Sequence, residues 1–109
     1  MDLVSKKCVP CEGGTPPLFK EKAQEYLAQV KGWELDDGGK QIKKQFSFPI
    51  YIAGIEFVQK VAQIAENEGH HPDLSVGYQT VTVTLTTHAI GGLSDNDFIM
   101  AAKIDQISL

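Results

Sequence analysis

The chain has 109 residues, a net charge of −4, and 42% hydrophobic and 22% charged residues, which suits one domain with its own core. All ten basic residues are lysines, so the planar fork that reads guanine and phosphate is missing, and an acidic, arginine-free domain points away from nucleic acid. No stretch approaches the roughly 18 apolar residues of a membrane span, and the opening MDLVSKKCVP lacks a signal peptide's apolar run, so a cytoplasmic setting with Cys8 and Cys11 reduced is expected.

Residues 1–17 read as a flexible N-terminal extension, rich in Pro and Gly and poor in apolar anchors. They carry the C-x-x-C of Cys8 and Cys11, and residues 18–109 make a single folded domain. Thr15 followed by Pro16 has the chemistry of a helix N-cap and first helical position. In LFKEKAQEYLAQVKG, Phe19, Ala23, Tyr26, Leu27 and Val30 share one stripe, which predicts a surface helix stopped by Gly32.

WELDDGGKQIKKQFSF predicts a hairpin, with Asp36-Asp37-Gly38-Gly39 as the turn. Ile42, Phe46 and Phe48 keep one parity on its second strand. After Pro49 a longer helix is expected over Tyr51 to Glu68, burying Gly54, Phe57, Val58, Val61, Ile64 and Ala65, with Gly69 at its end.

DLSVGYQTVTVTLTTH holds two strands, because the apolar phase changes at Gly77-Tyr78-Gln79-Thr80 and a tight turn belongs there. The last strand then has one aliphatic face and one threonine face, whose parity His88 continues. Ser94 and Asp97 form an S-x-x-D capping box before a final helix that is apolar over much of its circumference. That apolarity suggests a second contact surface, such as another subunit. The order is α-β-β-α-β-β-α, and the economical fold is α+β: a four-stranded antiparallel sheet with three helices on one face. The open sheet face, with its threonines, is either solvated or a dimer surface.

The titratable chemistry concentrates in NEGHHPDL, where His70 and His71 stand side by side. A histidine pair in a loop is more often polar surface than catalytic. Here the pair follows a helix end, and Pro72 restrains His71 to extended geometry. Glu66, four residues before His70, is placed to orient it, or is simply solvated helix surface. A second reading takes Cys8 and Cys11 as half of a zinc site that histidines complete, but a lone C-x-x-C without a second pair is a weak signal. No G-x-S-x-G or phosphate-cradling glycine loop supports nucleophilic or nucleotide chemistry. Proton transfer by histidine is the remaining enzymatic option.

The run E-x3-H-H-P-x5-Y-x9-H-x8-D, from Glu66 through His70, His71, Pro72, Tyr78 and His88 to Asp97, resembles the signature of the pterin-4a-carbinolamine dehydratases. Gly32-Trp33, VTLTTH and GGLSDND extend the resemblance over most of the chain. The resemblance implies loss of water from a 4a-hydroxytetrahydropterin to give the quinonoid dihydropterin, with no metal or organic cofactor. It implies His70, His71 and His88 as acid/base groups, with His88 on the opposite wall. Glu66 would orient His70. Asp97 would be a pocket residue or only the capping partner of Ser94, and Trp33 would pack on the pterin or in the core. It also implies a homodimer or homotetramer, and leaves room for a non-enzymatic role with a protein partner on the same fold.

Overall fold

The computed structural model describes residues 3–9 and 16–107. Helix α1 spans Lys20–Leu27, strands β1 and β2 span Glu34–Leu35 and Ile42–Ser47, and helix α2 spans Tyr51–Glu68. Strands β3 and β4 span Asp73–Val76 and Thr80–Leu85, a short 3-10 turn covers His88–Ile90, and helix α3 spans Asp95–Asp105. The sheet is antiparallel throughout in the order β1-β2-β4-β3. This is the four-stranded α+β fold the sequence pattern implies.

The register explains why the sheet has one greasy face. Ile42 pairs with Leu85, Phe46 with Val81, and Leu74 with Val83, so apolar side chains line up across strands on the helix side. Ile42, Val81, Val83 and Leu85 are fully buried. Lys43, Gln45, Ser47 and Ser75 alternate onto the open face, which is polar. At the β1–β2 turn, Oδ1 of Asp36 accepts the amides of Lys40 and Gln41 at 2.7 and 3.1 Å. Gly39 supplies the positive φ of 67°.

Helix α2 matches its predicted bounds. Phe57 packs between Phe46 and Phe48, with ring centroids 4.6 and 5.2 Å away. Helix α3 differs from its predicted role: residues 96–102 and Ile104 are all buried within this one chain. Phe98 meets Tyr26 of α1 at 5.3 Å, so the all-round apolarity of α3 is spent inside the monomer. Helix α1 starts at Lys20, later than the Thr15-Pro16 signal suggests. Its N-cap is the exposed Phe19, which makes no side-chain cap, and Thr15 lies outside the described residues. Val30 still reaches the core from the turn that follows the helix.

The N-terminal stretch that composition reads as a tail lies, over residues 3–9, against α2 and α3. Leu3 is in the core, and Lys103 Nζ donates to the Val4 carbonyl at 2.8 Å. The Cys8 amide donates to Glu68 Oε1 at 2.8 Å. One buried leucine and a few polar tethers are a signal too sparse to register in composition. Cys11 lies outside the described residues.

Candidate active site

Two turns at the same end of the sheet bring the histidines together. The first is the exit from α2. Gly69 adopts φ 69° and caps the helix, with its own amide and that of His70 both bonded to the Ala65 carbonyl at 2.8 and 3.2 Å. A left-handed residue here is ordinary for glycine and costs other residues about 1–2 kcal/mol. It breaks the helical direction, so His70 turns inward and His71 turns outward.

The second is the exit from β4. The strand stops at Leu85, and Thr87 bridges to Gly92. His88 therefore opens a 3-10 turn and does not continue the threonine row of the strand, as parity suggested. Gly92 is required by close approach: a Cβ there would sit 2.7 Å from Cβ of Pro17. The segment at Pro17 thus clamps the turn that carries Thr87 and His88.

Between the two turns lies a cleft of about 270 Å³ lined by Gly69, His70, His71, Thr86, Thr87 and His88, with Val9, Ala89 and Asn96 completing it. Each histidine faces a carboxylate. Nε2 of His70 lies 2.7 Å from Oδ1 of Asp97, with the His70 side chain 11% exposed and that of Asp97 fully buried. Nε2 of His71 lies 2.5 Å from Oε2 of Glu66, and both are mostly exposed. Nε2 of His88 lies 3.9 Å from Oδ2 of Asp73, also in the open. The exposed pairs are screened by solvent and add little to stability. The buried one is different, because a desolvated carboxylate needs its lone pairs filled. Asp97 has them filled: Oδ2 accepts from Thr87 Oγ1 at 2.8 Å and from the Ser94 amide at 3.0 Å.

Several expected pairings change here. Glu66 meets His71 and not His70, because the i,i+4 spacing assumes a helix that Gly69 has already ended. Asp97 caps α3 through Ser94, as one of its two readings had it, and it also holds His70, but it is fully buried behind that imidazole and does not itself line the cleft. Trp33 lies in the core, where its Nε1 donates to Asp105 at 3.1 Å and its ring meets Phe46 edge-on, so it lines no part of the cleft. Tyr78 sits at the β3–β4 turn, exposed and stacked on Tyr51, also away from the cleft. Sequence reasoning missed Thr87, Asp73 and Asn96. Thr87 carried one legible signal, as the only threonine of its run on the aliphatic parity.

The Cys8 thiol is half-buried and donates to the Asn96 carbonyl at 3.7 Å. Burial first, then the negative charge of Glu68, push it up to about 12. It is therefore a protonated donor at neutral pH.

A cleft that gathers three histidines on a four-stranded antiparallel sheet backed by three helices defines the class: an α+β domain with a histidine-and-carboxylate cleft at one end of its sheet. The chain belongs to the pterin 4 alpha carbinolamine dehydratase family, whose family model matches residues 16–107. Relatives provisionally named pterin-4-alpha-carbinolamine dehydratase include one from Azoarcus sp. (strain BH72), 49% identical over 98% of this chain and 92% of its own. Another, from Nitrosomonas eutropha, is 52% identical over 97% of this chain and 93% of its own. Among solved structures, a transcriptional coactivator/pterin dehydratase from Brucella melitensis superposes with a TM-score of 0.77 at 32% identity, covering 82% of this chain and 95% of that one. A pterin dehydratase-like protein identified as a RuBisCO assembly factor in the alpha-carboxysome gives a TM-score of 0.59 at 25% identity, over 68% and 86%.

Proposed function

We propose that this chain is a hydro-lyase that dehydrates a 4a-hydroxytetrahydropterin to the quinonoid dihydropterin in the cytoplasm, as a step in tetrahydropterin recycling. The observation that carries the proposal is the convergence of His70, His71 and His88 on one cleft, each facing a carboxylate.

The reaction breaks the C4a–O bond. The hydroxyl leaves as water after gaining a proton, and a ring nitrogen of the pterin gives one up, so protons balance without an external reagent. An imidazole whose Nε2–H donates to a carboxylate keeps Nδ1 as the nitrogen that takes or gives a proton. Nε2 of His70 and of His71 each faces a carboxylate oxygen, which as an ionised group can only accept, and on that ground we assign both this tautomer. We assign them as the acid/base groups, with His88 from the opposite turn beside the departing hydroxyl. Glu66 and Asp97 act by orienting their imidazoles, and general acid/base help of this kind is typically worth about 10² to 10⁴ in rate.

The assay couples the chain to a hydroxylase that generates the carbinolamine. Wild-type protein accelerates dehydration; full turnover by His71→Ala removes His71 from the mechanism.

A second role, as a protein-binding or assembly factor, is favoured by the names of the two solved neighbours. A pull-down returning one stoichiometric partner supports it. A homodimer or homotetramer is also part of the reading. Ile50, Tyr51, Val76 and Tyr78 are exposed at the start of α2 and the β3–β4 turn, and covering them would remove apolar surface from water.

A further inference from the structure

We propose that the N-terminal arm, residues 3–9, is a built wall of the cleft, that Asn96 is the positioning residue that sets it, and that Val9 selects among pterins by their side chain. The inference rests on the dehydratase reading and deepens it.

Every other described lining residue comes from the two histidine turns or from α3. Among the described lining residues, Val9 alone comes from a distant part of the chain, and its backbone is locked. Its amide donates to Asn96 Oδ1 at 3.0 Å, and Asn96 Nδ2 donates back to its carbonyl at 2.6 Å. Asn96 is 4% exposed. One residue earlier, the Cys8 amide is held by Glu68 and its thiol meets the Asn96 carbonyl. These tethers fix the part of the arm that touches the cleft, while Leu3 and the Lys103–Val4 contact hold its other end.

A side chain that spends both ends of its amide on one residue's backbone fixes position and orientation together. Asn96 also adjoins Asp97 in the first turn of α3, so the turn that holds His70 holds the arm as well. Val9 itself is left 64% exposed where it lines the cleft. It presents a small apolar group where the histidines present polar ones. Acid/base chemistry needs the histidines at the reacting ring. An apolar group at the rim is suited to the substituent the ring carries, and it discriminates by shape.

The test compares two carbinolamines, one with a dihydroxypropyl side chain and one with a single methyl. KM and kcat are measured for each, together with Kd for the two corresponding dihydropterins by fluorescence quenching. Val9→Phe, a change at an exposed position, is expected to raise the KM and Kd ratio of long to short side chain by roughly tenfold. Asn96→Ala is expected to weaken binding of the long-chain pterin, and Asn96→Asp, which retains the acceptor for the Val9 amide, to recover part of it. Unchanged ratios in Val9→Phe overturn the inference. So does an Asn96→Ala variant that loses kcat alone, which places its effect in the neighbouring Asp97. Wild-type protein that binds dihydropterins without turnover defeats the dehydratase reading instead, and the Kd ratios then decide the arm by themselves. Absence of dihydropterin binding by wild type overturns both.

Discussion

Asp97 and His70 form a buried pair, 2.7 Å between Oδ1 and Nε2, while the other carboxylate oxygen is held by Ser94 and Thr87. The capping of a helix and the orientation of an imidazole are thus one device. Asp97→Asn keeps the shape and removes an acceptor. Its carbonyl oxygen can serve the Ser94 amide, but its NH2 then faces Nε2 of His70 and favours the opposite tautomer. Turnover is expected to fall by about 10²-fold or more. Stability is expected to fall by about 1–3 kcal/mol. Kinetics and a denaturant titration of the same sample check both, and nitrogen NMR of His70 reads the tautomer directly.

The Glu66–His71 pair gives the contrasting case. Both partners are exposed, so neither Glu66→Gln nor His71→Ala should move the melting temperature appreciably. Activity should separate them. His71→Ala removes a proton-transfer group and is expected to cost roughly 10²-fold in kcat, and Glu66→Gln, which only loosens the imidazole, is expected to cost less.

Gly92→Ala tests the clamp over the His88 turn. The added methyl would meet Pro17 at 2.7 Å, and overpacking of this kind typically costs about 1–3 kcal/mol. The expected result is a lower denaturation midpoint, along with a raised KM as the Thr87–His88 turn shifts. An unchanged KM would show that the turn tolerates displacement.

Cys8 gives the pH dependence of stability a sign. Its folded value, about 12, lies above the ordinary 9.0 of the thiol, so the folded state holds this proton more tightly. The resulting stabilisation is fully present below about 9 and is lost as pH rises from there toward 12. Tyr26 acts in the same direction: burial and then the charge of Asp95 raise it. Urea midpoints measured from pH 8 upward should decline, and Cys8→Ala should flatten part of that decline. Thiol-alkylating reagents should react slowly with Cys8 at neutral pH.

Sequence legibility followed the range of each interaction. The bounds of α2, the Asp36–Gly39 turn and the Ser94–Asp97 cap were all readable, because hydrophobic period and local hydrogen bonds determine them. The identity of the histidine cluster was readable too, through the family resemblance carried by the run from Glu66 to Asp97. The pairing within it was not. Gly69 leaves the helix in a left-handed conformation, and that single dihedral moves Glu66 from His70 to His71 and gives His70 to a residue 27 positions away. The buried indole of Trp33 depends on Asp105, 72 positions distant. The arm at Cys8 and Val9 depends on Glu68 and Asn96. None of these leaves a periodic trace.

In the proposed reaction the histidines of this cleft carry out the dehydration. The measurement that tests it most directly is the rate of carbinolamine loss with wild-type protein and with His70→Ala/His71→Ala, at equal concentration and with folding verified. Dehydration accelerated by wild type and returned to the uncatalysed rate by the double variant is the expected result. Equal acceleration by both proteins, or none by the wild type, would contradict the account.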